Sequence, residues 1–219
     1  MTSWSPASAR RVAAMADSIA PRGPDGAGVV ARDRVAFGHR RLMIIDLSVR
    51  AAQPMIDAAL GLTIVFNGCI YNYPELRAAL EGKGYTFFSS GDTEVILKAY
   101  HAWGPRCVEK FHGMFAFAIH ERDSGRVVLA RDRFGIKPFY YTENSRRLRF
   151  ASSLQAILAA GDVDTSIDPV GLNHYMSFHA VVPPPRTILN GVKKLRELSP
   201  LYDMHNEGID ITKIEWAAH

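Results

Sequence analysis

The chain is poor in cysteine, with only Cys69 and Cys107 among 219 residues. Two thiols build neither a disulfide framework nor a zinc site of paired cysteine ligands. They fit a reducing compartment, so a cytoplasmic location is the expectation. Long apolar runs are also missing: no stretch of about 18 apolar residues occurs, so no membrane span or membrane partner is expected. The opening Met1-Thr2-Ser3-Trp4-Ser5-Pro6 lacks the apolar segment of a secretory signal. Neither sign of charge dominates, with 26 Lys and Arg against 22 Asp and Glu and a net charge of +4. The basic residues are dispersed except for Arg146, Arg147 and Arg149. That trio reads as a solvated hairpin tip, not a nucleic-acid patch, and no nucleic-acid partner is expected. Internal repeats and low-complexity segments are absent.

What remains is 47% hydrophobic and 22% charged, the composition of a globular domain. Apolar spacing predicts a helix over residues 7–19, ended by Pro21 and followed by the glycine-rich Arg22-Gly23-Pro24-Asp25-Gly26. Val29–Ala31 and Val35–His39 read as a short hairpin, and Leu42–Leu47 as a buried strand. Leu62–Phe66 reads as another buried strand, stopped by the Asn67-Gly68 turn. Helices are expected from Tyr73-Pro74-Glu75 and from Asp92 or Thr93, with a short strand over Thr86–Phe88 between them. The period then switches to two. Met114–Ile119 pairs with Val127–Arg131, and Phe139–Thr142 with Leu148–Ala151, before a helix over Leu154–Ala160. Antiparallel strands with helices inserted in blocks argue a layered α+β fold.

Asn67-Gly68 draws attention for its chemistry. A side-chain amide and a backbone N–H converging on one spot can stabilise the oxyanion of an acyl transfer. The alternative is an ordinary hairpin turn. Arg41 can be a surface arginine or a bidentate partner for a carboxylate. Asp92 can be a helix cap or an ammonium ligand. Asp25 can be a plain turn residue, and Asp132 with Arg133 reads as a structural ion pair.

Several segments in fixed order resolve these alternatives for Arg41, Asn67, Gly68 and Asp92. RGPDG (22–26), GHRRLMIIDLS (38–48), QPM (53–55), FNGCIYNYPELR (66–77), SSGDTEVILKAY (89–100), GMFAFAI (113–119) and LARDRFGIKPFYY (129–141) resemble the glutamine amidotransferase domain of the asparagine synthetase family. Asn-Gly-Cys and the stretch His179–Arg186 look most like the N-acetylglutaminylglutamine amidotransferase subgroup. The resemblance covers residues 7–195. It implies a four-layer αββα sandwich of the N-terminal-nucleophile hydrolase type. It also implies hydrolysis of glutamine, with the ammonia passed to a synthetase domain or chain. ATP and magnesium are expected only in that synthetase domain, and no cofactor or metal in this chain. By the same resemblance Asn67 and Gly68 form the oxyanion hole. Arg41, Leu42, Ile44, Ile45, Asn67, Gly68, Cys69 and Asp92 form the glutamine site, with Arg41 for the carboxylate and Asp92 for the ammonium.

Residues 1–160 are thus expected to be the amidotransferase domain, 161–195 its end and a connector, and 196–219 an unrelated, poorly packed tail. The family places a nucleophilic cysteine directly after the initiator methionine, where this chain has Thr2. The helix over 7–19 also starts too early, as if a first strand of about eight residues were missing. The pyrophosphate loop of the synthetase domain does not occur. These departures lead to the expectation of an inactive fragment that keeps the glutamine pocket. The alternatives are a non-catalytic glutamine-binding or scaffolding module of a two-chain ligase, and a hydrolase using Thr2. A missing strand would leave an unpaired sheet edge, which invites a homodimer.

Overall fold

The computed structural model describes residues 6–144, 147–196, 202–203 and 213–218. The expectations placed on Thr2 and Arg146 lie outside them. The chain opens with α1 (Pro6–Asp17), whose Val12, Met15 and Ala16 are buried at helical spacing. The hairpin β1 (Gly26–Arg32) and β2 (Val35–Arg41) follows, then β3 (Met55–Asp57) and β4 (Leu62–Ile70). Next come α2 (Tyr73–Glu81) and α3 (Asp92–Trp103), and after a 3-10 segment over Gly104–Lys110 the strands β5 (Gly113–Glu121) and β6 (Val127–Arg131). The last part holds β7 (Tyr140–Asn144), β8 (Arg147–Ala151), α4 (Leu154–Ala159), α5 (Pro169–Ser177), β9 (Lys193–Lys194), β10 (Tyr202–Asp203) and β11 (Lys213–Ala218).

Two sheets result, ordered β1-β2-β11-β8-β7-β9 and β10-β6-β5-β4-β3. Three apolar clusters show how they stack. Val35, Phe37, Val65, Ala118, Phe139 and Phe150 pack between the sheets. Leu76, Leu80, Val95, Ile96 and Tyr100 cover the outer face of the second sheet, against Ile64, Phe66 and Phe117. Met15, Ala16, Ala156 and Ile157 cover the outer face of the first. The layers are therefore helix, sheet, sheet and helix, as the family resemblance implies. Strand alternation lets β4 serve both clusters, with Ile64 and Phe66 facing the helices and Val65 facing the other sheet.

Five expectations are corrected. Leu42–Leu47 is a loop, not a buried strand, and Leu42, Ile44 and Leu47 are 51%, 74% and 68% exposed. Here the Arg41 guanidinium donates to the carbonyls of Asp46 and Ser48, and the Asp46 carboxylate accepts the Ser48 N–H. These side-chain bonds replace the ladder bonds a strand would need. Asn67-Gly68 is not a turn: β4 continues through it, pairing Gly68 with Phe115 across β5. Gly68 has φ of 155°, and a Cβ there would stand 2.2 Å from the Met114 carbonyl oxygen. Glycine is thus required for close strand approach inside the sheet.

Thr86–Phe88 forms no strand, because the N–H groups of Phe88 and Ser89 go to Glu94. The tail expected to pack poorly contributes strands: residues 202–203 pair with β6, and 213–218 lie parallel between β2 and β8. Ile214, Trp216 and Ala218 alternate, a period-two signal hidden in a short segment. At that place in the sheet no edge is left unpaired. Finally, Asp132 makes no ion pair with Arg133. Its buried carboxylate accepts the backbone N–H groups of Phe115, Phe134, Ile136 and Lys137.

Candidate functional site

The end of β2, the middle of β4 and the N-terminus of α3 converge on one cleft of about 160 Å³. Of the eight residues expected at the glutamine site, Arg41, Leu42, Ile44, Ile45, Asn67, Gly68 and Asp92 line it. Cys69 does not. It follows Gly68 on β4 and sits half-buried beside the cleft.

Arg41 ends β2 and is 8% exposed. Two of its five N–H donors hold the carbonyls of Asp46, in a short contact, and Ser48, at 2.8 Å. Among the described residues no carboxylate forms an ion pair with it. Asp92 is the first residue of α3 and is 5% exposed. Burial raises its carboxyl above the usual carboxylate range, and the N–H groups of Ile70, Asp92 and Thr93 only partly offset this. The Ile70 bond is 3.0 Å long. Among the described residues no cation forms an ion pair with Asp92 either. Buried Arg41 and buried Asp92 thus line one cleft, neither in an ion pair among the described residues. Leaving such charges unpaired is costly, and a zwitterionic ligand relieves both.

Asn67 supplies the third feature. Its side chain is buried, and its amide Nδ2 finds no acceptor among the described residues. A fixed, unspent amide donor in a desolvated cleft suits a carbonyl or oxyanion oxygen. No thiol lines the cleft. Cys69 has its thiol pushed up by burial and by the charge of Asp92, against a lowering by Lys137, and so is a poor nucleophile.

The loops that carry these groups are tied together. The Asp46 carboxylate accepts from Ser48 N–H at 2.8 Å, Ser90 N–H at 2.8 Å and the Ser90 hydroxyl at 2.9 Å. Burial pushes its carboxyl up, but these bonds outweigh that and hold it well below the usual range. Asp46 therefore latches the loop after Arg41 to the loop before Asp92. Asp25 fixes the same loop from the other side, accepting the Met43 N–H at 2.8 Å. Glu94 is wholly buried and accepts from Phe88 N–H, Ser89 N–H and the Ser89 hydroxyl while pairing with Lys98.

The cleft also includes His39, Asp46, Ala51, Gln53, Phe66, Gly91, Thr93 and Lys137, none of which the sequence singled out for it. Gln53 accepts the Phe66 N–H at 2.7 Å through its side-chain oxygen, anchoring β4 beside Asn67. Its signal was the Gln-Pro step between two strands. Lys137 had none beyond its place in a glycine-containing loop. Among the described residues no group of three or more His, Cys, Asp or Glu is placed to hold a metal ion. No described helix is long and apolar enough to cross a membrane.

Comparison with known proteins shows the family of the chain. The profile of a family described as a glutamine amidotransferase domain matches residues 1–213. The chain is 44% identical over 181 residues to asparagine synthetase [glutamine-hydrolyzing] 1 of Bacillus subtilis, covering 83% of this chain and 28% of the relative. It is 36% identical over 199 residues to asparagine synthetase [glutamine-hydrolyzing] 3 of the same organism, covering 90% and 32%. The chain thus spans about a third of the length of these curated relatives. Among solved structures it is similar to the glutamine phosphoribosylpyrophosphate amidotransferase from B. subtilis in complex with ADP and GMP. The TM-score is 0.50 at 20% identity, over 61% of this chain and 37% of that one. That likeness concerns the fold alone, and the layers described above are those of an αββα sandwich.

Proposed function

The chain belongs to the glutamine amidotransferase domain family, and on that premise we propose that its cleft binds L-glutamine and serves the ammonia-supplying half of an ATP-dependent amide ligase. One observation supports this above the others: buried Arg41 and buried Asp92 line one cleft, neither in an ion pair among the described residues. Arg41 receives the α-carboxylate in a charge-assisted pair. Asp92 receives the α-ammonium. The Asn67 amide and the Gly68 N–H then face the side-chain carbonyl, where negative charge develops if a nucleophile attacks it. The synthetase partner and its acceptor belong to the remaining length of the relatives, which are named as asparagine synthetases.

A second reading is a non-catalytic glutamine-binding module, favoured by a cleft lining that holds no thiol. Calorimetric titration tests the ligand assignment common to both. L-Glutamine is expected to bind, while N-acetyl-L-glutamine and L-glutamine α-amide, which each lack one charge, are expected to bind at least about tenfold more weakly. Equal binding of all three would refute the assignment. Ammonia release from glutamine by the purified chain separates the two readings.

A further inference from the structure

Between β2 and β8 the first sheet forms a channel one strand wide. β2 is paired along its far edge with β1, from Gly26 opposite Arg41 to Arg32 opposite Val35. β8 is paired along its far edge with β7, from Tyr140 opposite Ala151 to Asn144 opposite Arg147. Each wall is therefore one arm of a hairpin that is complete without β11. Phe37 of β2 and Phe150 of β8 meet edge to face, with ring centroids 6.3 Å apart, so the walls touch across the channel. Val65 of β4 packs with both from the second sheet. On the opposite face Met15 and Ala16 of α1 pack with Ala151, and α1 runs over β2 and β11. The facing N–H and C=O groups of β2 and β8 are left to the strand between them, and buried groups of this kind must be paired.

β11 fills the channel and differs from its neighbours in direction. It runs parallel to both walls, with residues 214–218 beside 35–39 and 213–217 beside 147–151. Every other strand pair among the described residues is antiparallel. A parallel strand cannot enter as the next arm of a hairpin, so β11 is inserted between two finished ones. Its register sets Ile214 opposite Val35 and Leu148, and Trp216 opposite Phe37 and Phe150. All four wall residues are buried, so apolar positions of the strand meet apolar positions of the walls. We propose that the β2–β8 channel is a peptide-binding site of the strand-addition type. It takes an extended six-residue peptide, parallel to both walls and apolar at alternate positions. Residues 213–218 are its occupant in cis, and the same peptide binds in trans when they are withdrawn. Backbone bonds to two walls give affinity, and the alternate positions give selectivity. This goes beyond the glutamine reading of the cleft and does not depend on it.

The test uses the full chain carrying Glu215→Pro. Proline removes a ladder donor and is excluded from a central strand, so the variant frees the channel. Amide hydrogen exchange over residues 35–39 and 147–151 is expected to rise at least about tenfold, while β4 and β5 stay protected. The variant is also expected to take up a fluorescein-labelled peptide of residues 211–219, read by anisotropy, that the wild type excludes. The same peptide with Trp216→Lys is expected to bind at least about tenfold more weakly. A second route inserts a protease recognition sequence between Asn206 and Glu207 and cuts it after folding. The cut chain is expected to exchange its strand for the labelled peptide, and it decides alone if Glu215→Pro does not fold. Unaltered hydrogen exchange in a folded Glu215→Pro, or no uptake of the peptide by the cut chain, would overturn the proposal. Equal binding of the two peptides would overturn it as well.

Discussion

Asp92→Asn separates binding from stability, because the two respond in opposite directions. In the free protein the Asp92 carboxylate is buried without a cation and is held above its usual range chiefly by that burial. An asparagine of nearly the same shape still offers an oxygen to the Ile70 N–H, now 3.0 Å away. It also removes the cost of burying a charge. Stabilising changes of this kind contribute about 1 kcal/mol. Unfolding entropy per residue makes that about 2 °C in Tm for a chain of 219 residues. In the complex the balance reverses. Truncating one partner of a desolvated charge pair costs about 2–5 kcal/mol. The amide keeps one neutral hydrogen bond, so the lower end applies, about thirtyfold in Kd for glutamine.

The pH dependence fixes the cause. Because burial raises the folded-state pKa of Asp92, its contribution to stability is fully present below the unfolded carboxylate range. It is lost as pH rises through the raised value. The variant has no such titration. Its advantage should therefore vanish in acid and be complete near neutrality. Urea unfolding from acid to neutral pH measures this, with glutamine titration at neutral pH alongside. If Asp92→Asn is less stable than wild type at neutral pH, or binds glutamine with unaltered affinity, the reasoning is refuted.

Lys98 makes the complementary case. It is buried between Asp57 and Glu94, at 3.0 Å from each. Lys98→Met leaves two buried carboxylates without their cation, and should cost about 3–5 kcal/mol in urea unfolding. A loss below about 1 kcal/mol would show that Asp57 and Glu94 are satisfied by their N–H and hydroxyl donors alone. The cysteines give a third outcome. Burial raises the Cys107 thiol to about 12, and Cys69 is raised as well. At pH 7.5 a thiol-specific chromophore should label Cys69 slowly and Cys107 only on unfolding. Rapid labelling of Cys69 would contradict its raised pKa and reopen it as a nucleophile.

Strands with strict alternation and helices with regular apolar spacing were legible in the sequence. β5, β6, α2 and α3 all lie where periodicity puts them, because their faces are set by burial. What stayed hidden was decided by side chains bonding to distant backbone. Leu42–Leu47 carries the apolar residues of a buried strand, yet Arg41 and Asp46 fold it into a loop. Asn67-Gly68 carries a turn signal, yet nine-residue pairing with β5 holds it straight. The charged site residues Arg41 and Asp92 were found through their motifs. Lys137 was not, since a lysine in a loop looks the same whether it faces water or a cleft. The parallel placement of β11 between strands far away in the chain has no local signature at all.

The acidic residues around the cleft show why Asp92 stands apart. Asp25, Asp46, Glu94 and Asp132 each accept backbone N–H groups from a loop that builds the site. Asp46 and Glu94 add a serine hydroxyl, and Glu94 a lysine. Those carboxylates are consumed by structure. Their hydrogen bonds hold loops that expose too little apolar surface to the core to be fixed by packing alone. Asp92 is as buried as Asp46 but meets neither hydroxyl nor cation, only the N–H of Ile70 at the end of β4 and N–H groups at the start of its own helix. Helix-end N–H groups stabilise a carboxylate modestly and leave room for a stronger partner. The same contrast applies to the cations. Lys98 is spent between two carboxylates, whereas Arg41 holds only carbonyl oxygens and keeps its charge for a ligand. The cleft is thus the place where buried groups are left without ion-pair partners after the loops are built, and this supports the proposal that it takes an amino acid.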